Sequence, residues 1–378
     1  MALSRIDTTN MIEDVPQSKL DNNINFRNII INGDMSIAQR GTSATGLGNG
    51  DSGYHTCDRW NFQENGSPTG VFTQSQSTDV PSGQGFGYSL KMDCTTADAS
   101  LAASTNFRIQ HRIEGQNLQY LKKGTSSAES LTLSFWVKSN KTGIYIAELY
   151  DIDNARQISK SYTISSASTW EKKTITYGGD TTGVLDNNNE QSLQLNLWLA
   201  SGTDNSSGTL STTWTSNTAA NRAVGQVNLA DSTSNEWYIT GVQLEAGEVA
   251  SDFEFLPYDV NAQRCLRYYE GGDGNSPDIF GEPRRFCEVL ADGTTSRLKI
   301  FSGSFSVIKR ATPTITVYGG TGFLTSNRIS RYDSAATTET VTSISLNSAN
   351  AIGAYLNVST TASTSRTYQF NYEADAEL

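Results

Sequence analysis

The sequence predicts an all-β fold, and two observations support this prediction. Of the 378 residues, 36% are hydrophobic and 18% are charged, while Ser, Thr, Asn and Gly fill much of the remainder. A chain rich in Thr, Tyr and Trp but poor in Lys and Glu favours short strands joined by turns over helices. Several segments also alternate between apolar and other residues, which is the period-two pattern of a strand with one buried face. The 10% of aromatic residues argues against disorder.

Residues 1–26 are predicted to form a short extended arm. The segment is polar with scattered apolar residues, so it cannot bury a core of its own, and a disordered tail is the alternative. We interpret it as an arm that attaches the protein to a larger particle. Its apolar contacts would be Ile6, Met11, Ile12, Val15, Leu20 and Ile24.

Residues 27–258 are predicted to form one β domain, a sandwich or jelly roll, because many short strands follow one another with turn signals between them. The expected strands are 28–32, 59–63, 69–75, 87–93, 105–113, 131–138, 143–150, 159–164, 171–177, 192–199 and 236–245. The apolar face of the segment 131–138 consists of Leu131, Leu133, Phe135 and Val137, and its other face carries Thr132, Ser134, Trp136 and Lys138. Residues 202–222 are expected to be a long polar contact loop.

The remaining residues are predicted to form a connector and a second β domain. Residues 259–272 would connect the two domains, with the best helical pattern of the chain at 260–269 and a glycine-rich break after it. Residues 273–378 would form a smaller C-terminal β-sandwich, with alternation at 296–306 and 314–318. No fixed repeat is visible, which argues against a β-helix shaft.

The charge balance and the cysteines limit the possible partners. The net charge is −11 and the isoelectric point is about 4.8, so an acidic surface makes nucleic acid an unsuitable partner. We expect neither a secretory signal nor membrane insertion, since no apolar segment approaches the required length. The four cysteines form no C-x-x-C pair, and we expect free buried thiols.

No motif predicts catalysis. The chain has two histidines, His55 and His111, and contains neither G-x-S-x-G nor H-E-x-x-H. Pairs of carboxylates such as Asp151 with Asp153 occur, but they are expected to be solvated turn residues. We therefore expect no enzyme.

Tryptophans are the candidate glycan contacts, because the C–H faces of sugars stack on exposed rings. The candidates are Trp136, Trp198 and Trp214. Trp214 lies in the polar loop, whereas Trp136 and Trp198 lie on strand faces opposite the apolar residues. The alternative for Trp136 and Trp198 is a second core covering that face. The other three tryptophans, Trp60, Trp170 and Trp237, are expected to pack in the core.

Seven short motifs, taken in order, resemble those of bacteriophage tail-fibre and virion structural proteins with a carbohydrate-binding-module-like jelly roll. They are N-G-D-M-x-I-A-Q-R-G at 32–41, D-R-W at 58–60, R-I-E-G at 112–115, S-F-W-V-K-S at 134–139, T-G-V-Q-L-E-A-G at 240–247, C-x-R-Y-Y at 265–269 and D-A-E-L at 375–378. The resemblance implies a homotrimeric virion protein, assembled in the host cytoplasm and attached by its N-terminus, with a tail fibre favoured over the capsid surface. No long shaft or heptad repeat accompanies the motifs, so a short fibre or spike fits as well.

The resemblance also implies a possible structural calcium ion, since jelly rolls of this type often hold one between their first and last strands. Asp34 and Glu245 lie on motifs that would be neighbours there, and carboxylate oxygens suit calcium. The alternative is that both carboxylates accept hydrogen bonds from turn amides and that no cofactor is bound.

Four functions therefore stay open. The first is a phage fibre or spike that binds host-surface glycan. The second is a capsid decoration, head fibre or adaptor without a receptor. A carbohydrate-binding module of a secreted enzyme lacks support, because neither a signal nor a catalytic domain is evident. A tailspike depolymerase is disfavoured by the few histidines and the absence of repeats.

Overall fold

The computed structural model of the protein describes residues 26–271, 285–290, 297–300, 303–319, 325–331, 334–345, 351–352, 355–358 and 366–378. The residues proposed for particle attachment, from Ile6 to Ile24, lie outside the described residues, so the role of the arm stays a prediction. The domain expected at 27–258 lies wholly within them.

Thirteen strands between residues 26 and 258 form two antiparallel sheets. They are β1 Ser43–Leu47, β2 Gly53–Tyr54, β3 Asn61–Asn65, β4 Val71–Ser77, β5 Ser89–Thr96, β6 Asn106–Glu114, β7 Leu131–Ser139, β8 Gly143–Asp151, β9 Arg156–Ile164, β10 Glu171–Tyr177, β11 Gln191–Ser201, β12 Thr215–Ser216 and β13 Glu236–Ala246. Sheet A has the order β1-β4-β5-β13-β7-β10, and sheet B has the order β12-β9-β8-β11-β6-β3-β2. The chain changes sheet repeatedly, as between β5, β6, β7 and β8, which wraps the strands into a jelly roll. The all-β jelly-roll prediction is confirmed.

The apolar faces of the two sheets meet in one core. Phe135 of β7 and Leu195 of β11 are fully buried there, as their alternation predicts. The rings of Phe62, Phe72 and Phe107 pack with centroids 5.0–6.2 Å apart, a spacing typical of favourable aromatic pairs. The core therefore fixes which face of each strand is left for other contacts.

The expected strands from 59–63 to 236–245 all occur, with small shifts at their ends, but the strand predicted at 28–32 is wrong. Asn32 and Met35 have φ angles of +58° and +60°, which interrupt an extended chain. The side chain of Asn28 replaces part of a backbone ladder, because its Oδ1 accepts from the Leu244 amide at 3.1 Å and its Nδ2 donates to the Val242 oxygen at 3.1 Å. The segment thus lies along β13 without being a strand.

A bulge in β13 explains the glycines of two motifs. The register against β7 shifts between Thr240 and Gln243, and Gly241 within the bulge has a φ of +62°. A Cβ atom on Gly241 would lie 2.5 Å from the Phe86 ring, and one on Gly33 would lie 2.1 Å from the Val242 oxygen. Both positions therefore require glycine, because a side chain would collide with a neighbour.

Replacing Gly241 with alanine should lower the free energy of unfolding by about 2–4 kcal/mol, since it combines a left-handed backbone with a clash in a packed region. Gly178→Ala is the matched control, because Gly178 has ordinary φ and nothing within 4 Å of the added methyl. Urea unfolding of both variants measures the difference. Equal stability of the two variants would contradict the steric account.

The helix predicted in the connector is confirmed, with shifted ends. The α-helices of the described residues are α1 Thr203–Ser206 and α2 Tyr258–Leu266. Helix α2 begins directly after Pro257 and buries Asn261, Ala262, Cys265 and Leu266. It ends early because Tyr269 enters a strand.

The smaller C-terminal β domain is present, with a ring of six strands among its eleven described strands. They are β14 Tyr269–Gly271, β15 Arg285–Leu290, β16 Arg297–Ile300, β17 Gly303–Ser304, β18 Thr314–Gly319, β19 Thr325–Ser326, β20 Arg328–Arg331, β21 Ser334–Ser345, β22 Ala351–Ile352, β23 Tyr355–Val358 and β24 Arg366–Asp375. The order β15-β16-β23-β21-β20-β24 closes because β24 also pairs with β15. The second half of β24 pairs with β14 and β18, which carries the chain back towards the jelly roll.

The returning residues 375–378 dock on the jelly roll through arginines; we name this contact the C-terminal clamp. The fully buried Arg59 forms an ion pair with Glu377 and lies 3.5 Å above the Tyr268 ring. Arg40 pairs with Asp375 at 3.1 Å and with Glu377 at 3.3 Å. Burial of these cations requires such partners, because an unpaired charge inside a protein is very costly.

Further contacts extend the clamp on both sides. Arg112 and the hydroxyl of Tyr54 donate to the backbone oxygen of Leu378. The guanidinium of Arg310 donates to the backbone oxygens of Ala376, at 2.9 Å, and Glu377, at 3.1 Å. The two β domains are thereby joined by buried polar contacts as well as by the connector.

Replacing Glu377 with glutamine should lower the free energy of unfolding by about 3 kcal/mol, because it leaves two buried guanidinium groups without their shared carboxylate. The exposed Glu248→Gln is the control, and its effect should stay within about 0.5 kcal/mol. Calorimetry of both variants tests this expectation. A Glu377 variant as stable as the control would show that the clamp does not stabilise the fold.

The three cysteines that the structure describes agree with the expectation of free buried thiols. Cys57, Cys94 and Cys265 are buried and free, whereas the Cys287 side chain lies outside the described ones. No helix among the described residues is long and apolar enough to cross a membrane.

Candidate functional site

The outer face of sheet A carries a group of aromatic side chains that we name the aromatic face: the partly exposed Trp136 and Trp170 and the buried Tyr238, together with Lys91 and Lys138. Trp136 lies on β7 with Thr240 of β13 and Lys172 of β10 as its cross-strand neighbours. Trp136 and Trp170 are partly exposed.

Tyr238 forms the floor of this face. Its ring makes an edge contact with Trp170 at a centroid distance of 6.2 Å. The Lys138 ammonium lies 4.2 Å from the Tyr238 ring centroid and the Lys91 ammonium 5.4 Å, both within range of cation–π attraction. Burial and the hydrogen bond to Glu236 raise the pKa of Tyr238 to about 12, so the phenol stays protonated at neutral pH.

Carboxylates hold the cations and one indole of the face in place. Asp79 pairs with Lys138 and accepts a 2.9 Å hydrogen bond from Trp170 Nε1. Although burial acts to raise the pKa of Asp79, these two hydrogen bonds lower it, so the group stays ionised. Glu236 pairs with Lys91 at 2.9 Å. The positive charges of Lys91 and Lys138 are thus matched by neighbouring carboxylates.

Further aromatic side chains lie beside the bulge in β13. Thr240, the neighbour of Trp136, donates to the Tyr88 oxygen at 2.7 Å. Phe86 packs over Gly241 and against Phe255, with ring centroids 5.1 Å apart, and Phe255 is 51% exposed. Apolar surface therefore extends from the aromatic face towards this end of the sheet.

Trp198 is not a surface residue, and its prediction as a glycan contact is wrong. Its side chain is fully buried on the outer side of sheet B. Its Nε1 donates to Glu148 at 3.1 Å, and Arg222 binds the same carboxylate at 2.7 and 2.9 Å. Ile146 and Ala223 pack beside it. The loop after β11 covers this face, so the second-core alternative is confirmed for Trp198.

Trp214 is partly exposed but lies apart from the aromatic face, directly before edge strand β12 in sheet B. Its Nε1 donates to the Gly178 oxygen at 2.7 Å, and the Lys123 ammonium lies 4.8 Å from its ring. Part of its ring packs on the main core. The structure therefore does not bring Trp214 together with Trp136.

The prediction for Trp170 is also wrong. We expect it in the core, as Trp60 and Trp237 are, but it lies on the aromatic face instead. The sequence contains a signal for this placement, because Trp170 has the parity of the exposed Lys172 and not that of the buried Tyr177.

The candidate calcium ligands accept hydrogen bonds from protein groups. Glu245 accepts from the Ser251 amide at 2.9 Å and the Ser251 hydroxyl at 2.7 Å, and Arg27 lies 3.6 Å away. Asp34 accepts from the Ser36 hydroxyl and from Asn261, each at 3.1 Å. The described residues contain no group of three or more His, Cys, Asp or Glu side chains arranged to hold a metal. Both carboxylates thus have hydrogen-bond partners in the protein, as the alternative expects. A bound calcium ion stays a prediction.

No protein-family model matches the chain, and no curated protein matches it. Similar solved structures include the enzymatically active domain of tailspike protein 4 of bacteriophage CBA120, with a TM-score of 0.28 and 12% identity over 50% of this chain and 19% of that chain. The family 11 carbohydrate-binding module of the cellulase Lic26A-Cel5E of Clostridium thermocellum has a TM-score of 0.27 and 12% identity over 55% of this chain and 97% of that one. TmCBM61 in complex with β-1,4-galactotriose has a TM-score of 0.27 and 10% identity over 50% of this chain and 88% of that one. At these values the likenesses carry no inference about ligand or activity, and the resemblance to phage fibre proteins stays a prediction.

Proposed function

We propose that the protein binds a neutral glycan on the aromatic face and that it does so without catalysis. The observation that supports this most directly is the pair of partly exposed indoles, Trp136 and Trp170, on one outer sheet face beside amine, carboxylate and hydroxyl groups. Indole faces bind the C–H faces of sugar rings, while the polar groups around them bind hydroxyls.

The charges of the face favour a neutral ligand. Lys138 is matched by Asp79, and Lys91 by Glu236 and by Asp93 at 3.4 Å. Lys172, beside Trp136, is exposed and has no ion-pair partner in the described structure, so the face carries three lysines and three carboxylates and no net charge that would attract a strongly anionic ligand. Hydroxyl groups, in contrast, can accept from the amines and donate to the carboxylates.

The face is also organised before any ligand arrives. Trp170 is held by its hydrogen bond to Asp79 and by its edge contact with Tyr238. The pleat of β7 positions Trp136 relative to Thr240 and Lys172. A ligand therefore spends little binding free energy on ordering these side chains, which favours affinity.

On this proposal the protein is a fibre or spike of a bacteriophage particle, homotrimeric, attached through residues 1–26, with its β domains presented to the host surface. The support is the ordered set of motifs in the sequence, from N-G-D-M at 32–35 to D-A-E-L at 375–378. The alternative is a capsid decoration or adaptor protein that shares these motifs and binds no glycan.

Replacing Trp136 or Trp170 with alanine should weaken glycan binding by at least about tenfold, because each variant removes a stacking surface from the centre of the face. The measurement is an array of neutral and acidic glycans probed with the full chain and then with each variant, followed by titration of the best neutral ligand.

Trp214→Ala is the comparison variant, since Trp214 is a partly exposed tryptophan at another place in the fold. It should bind as the unaltered chain does. Loss of binding confined to Trp214→Ala, or no binding to any neutral glycan, would contradict the assignment to the aromatic face.

The particle location can be tested independently of the ligand. Antibodies against residues 273–378, used with immunogold on purified virions, should label the tail. Gold scattered over the head would support the decoration alternative instead, and unlabelled virions would contradict the virion proposal itself.

A further inference from the structure

A cavity of about 420 Å³ lies between strand β6, the segment that begins at Phe26, and helix α2. Its lining includes three arginines, Arg264, Arg267 and Arg112, together with Ile29 and Tyr120. These lining residues come from four separate parts of the chain, so the cavity is a product of the complete fold. Its volume suits one or two sugar rings, since ligand pockets commonly begin near 300 Å³.

Arg264 is the unusual residue of this cavity. Its guanidinium makes one hydrogen bond, from Nη2 to the Asn28 oxygen at 3.3 Å. Within the described part of the chain it has no carboxylate partner within 4 Å, unlike Arg267, which Glu114 binds at 2.8 Å through both oxygens. A partly buried guanidinium with a single backbone acceptor has free donors for a ligand.

No carboxylate of the described residues neutralises the positive charge of Arg264 by direct contact. The carboxylate of Glu254 acts on Arg264 at longer range, and it is itself bound by the backbone amides of Phe26 at 2.7 Å and Asn28 at 2.9 Å. Burial lowers the pKa of Arg264, which an anion placed beside it would reverse. The Nδ1 atom of His111, another lining residue, is buried without a hydrogen-bond partner in the described structure.

The remaining walls suit the body of a sugar. Gln116 and Asn117 supply amide groups at the rim, and the ring of Tyr120 is 50% exposed there. Ile29 and Ile113 line the apolar part. An anionic group at Arg264 could therefore be combined with hydroxyls at the amides and a ring face on Tyr120.

We propose that this cavity is a second binding site, specific for a carboxylate-bearing sugar such as a uronic acid, with Arg264 as the group that binds the carboxylate. The site is separate from the aromatic face, since its lining residues come from β6, the 26–31 segment, the turns after β6 and α2. Its failure would leave the proposal for neutral glycan binding on sheet A unaffected, and the reverse also holds.

The test is titration of the full chain with glucuronic acid, glucose and inorganic phosphate, followed by ligand-detected NMR. Glucuronic acid should bind at least about tenfold more tightly than glucose, because one charge-assisted bidentate contact separates the two. Equal affinity for the two sugars would overturn the proposal. Binding of phosphate without binding of glucuronic acid would overturn it as well, since the cavity would then select a bare anion.

Arg264→Gln should weaken glucuronic acid binding by at least about tenfold, and Arg264→Lys should restore part of it, because lysine keeps the charge but not the fork geometry. Lys160→Met on β9, outside both proposed sites, removes the same charge and should leave binding unchanged. Tyr120→Ala, a change at an exposed side chain, provides a second readout if the Arg264 variants do not fold, and it should weaken binding several-fold. Unchanged affinity in both Arg264→Gln and Tyr120→Ala would overturn the proposal.

Discussion

The ion pair between Arg59 and Glu377 is the contact on which the arrangement of the two β domains depends. Arg59 has no exposed surface, and its partner lies 318 residues away in the sequence. A guanidinium can occupy such a place only if a carboxylate and further acceptors accompany it. Its Nη2 donates to the Arg112 oxygen at 2.6 Å, and the Tyr268 ring covers its face. Residues 375–378 therefore have to return to the jelly roll, because the buried guanidinium of Arg59 needs the carboxylate of Glu377.

This contact gives a physical reason for five of the seven motifs of the sequence. Arg40 belongs to the first motif, Arg59 to D-R-W, Glu114 to R-I-E-G, Tyr268 to C-x-R-Y-Y and Glu377 to D-A-E-L. The structure brings all five to the clamp or directly beside it, with Glu114 accepting from the Tyr268 hydroxyl at 2.5 Å. Five of the seven motifs thus describe how the two domains are joined, whereas S-F-W-V-K-S contributes Trp136 and Lys138 to the aromatic face.

The strands could be predicted from the sequence wherever burial follows a period of two, as in β7 and β11. The prediction fails at 28–32 because Asn28 replaces backbone pairing with side-chain hydrogen bonds, which alternation cannot reveal. The candidate site was predictable in part. Trp136 lies on the outer face as its parity indicates, whereas the burial of Trp198 depends on a loop that folds back over sheet B. The clamp and the cavity at Arg264 join residues separated by more than 140 positions, and no local pattern encodes such contacts.

The proposed site for a neutral glycan contains Trp136 and Trp170, and the tryptophans themselves can report on binding most directly. The chain has six tryptophans, and each indole N–H gives its own signal in NMR of protein with isotope-labelled tryptophan. On titration with a neutral glycan selected from the array, the signals of Trp136 and Trp170 should move, while those of the buried Trp60, Trp198 and Trp237 should stay. A glycan that binds without moving the Trp136 and Trp170 signals would contradict the central claim.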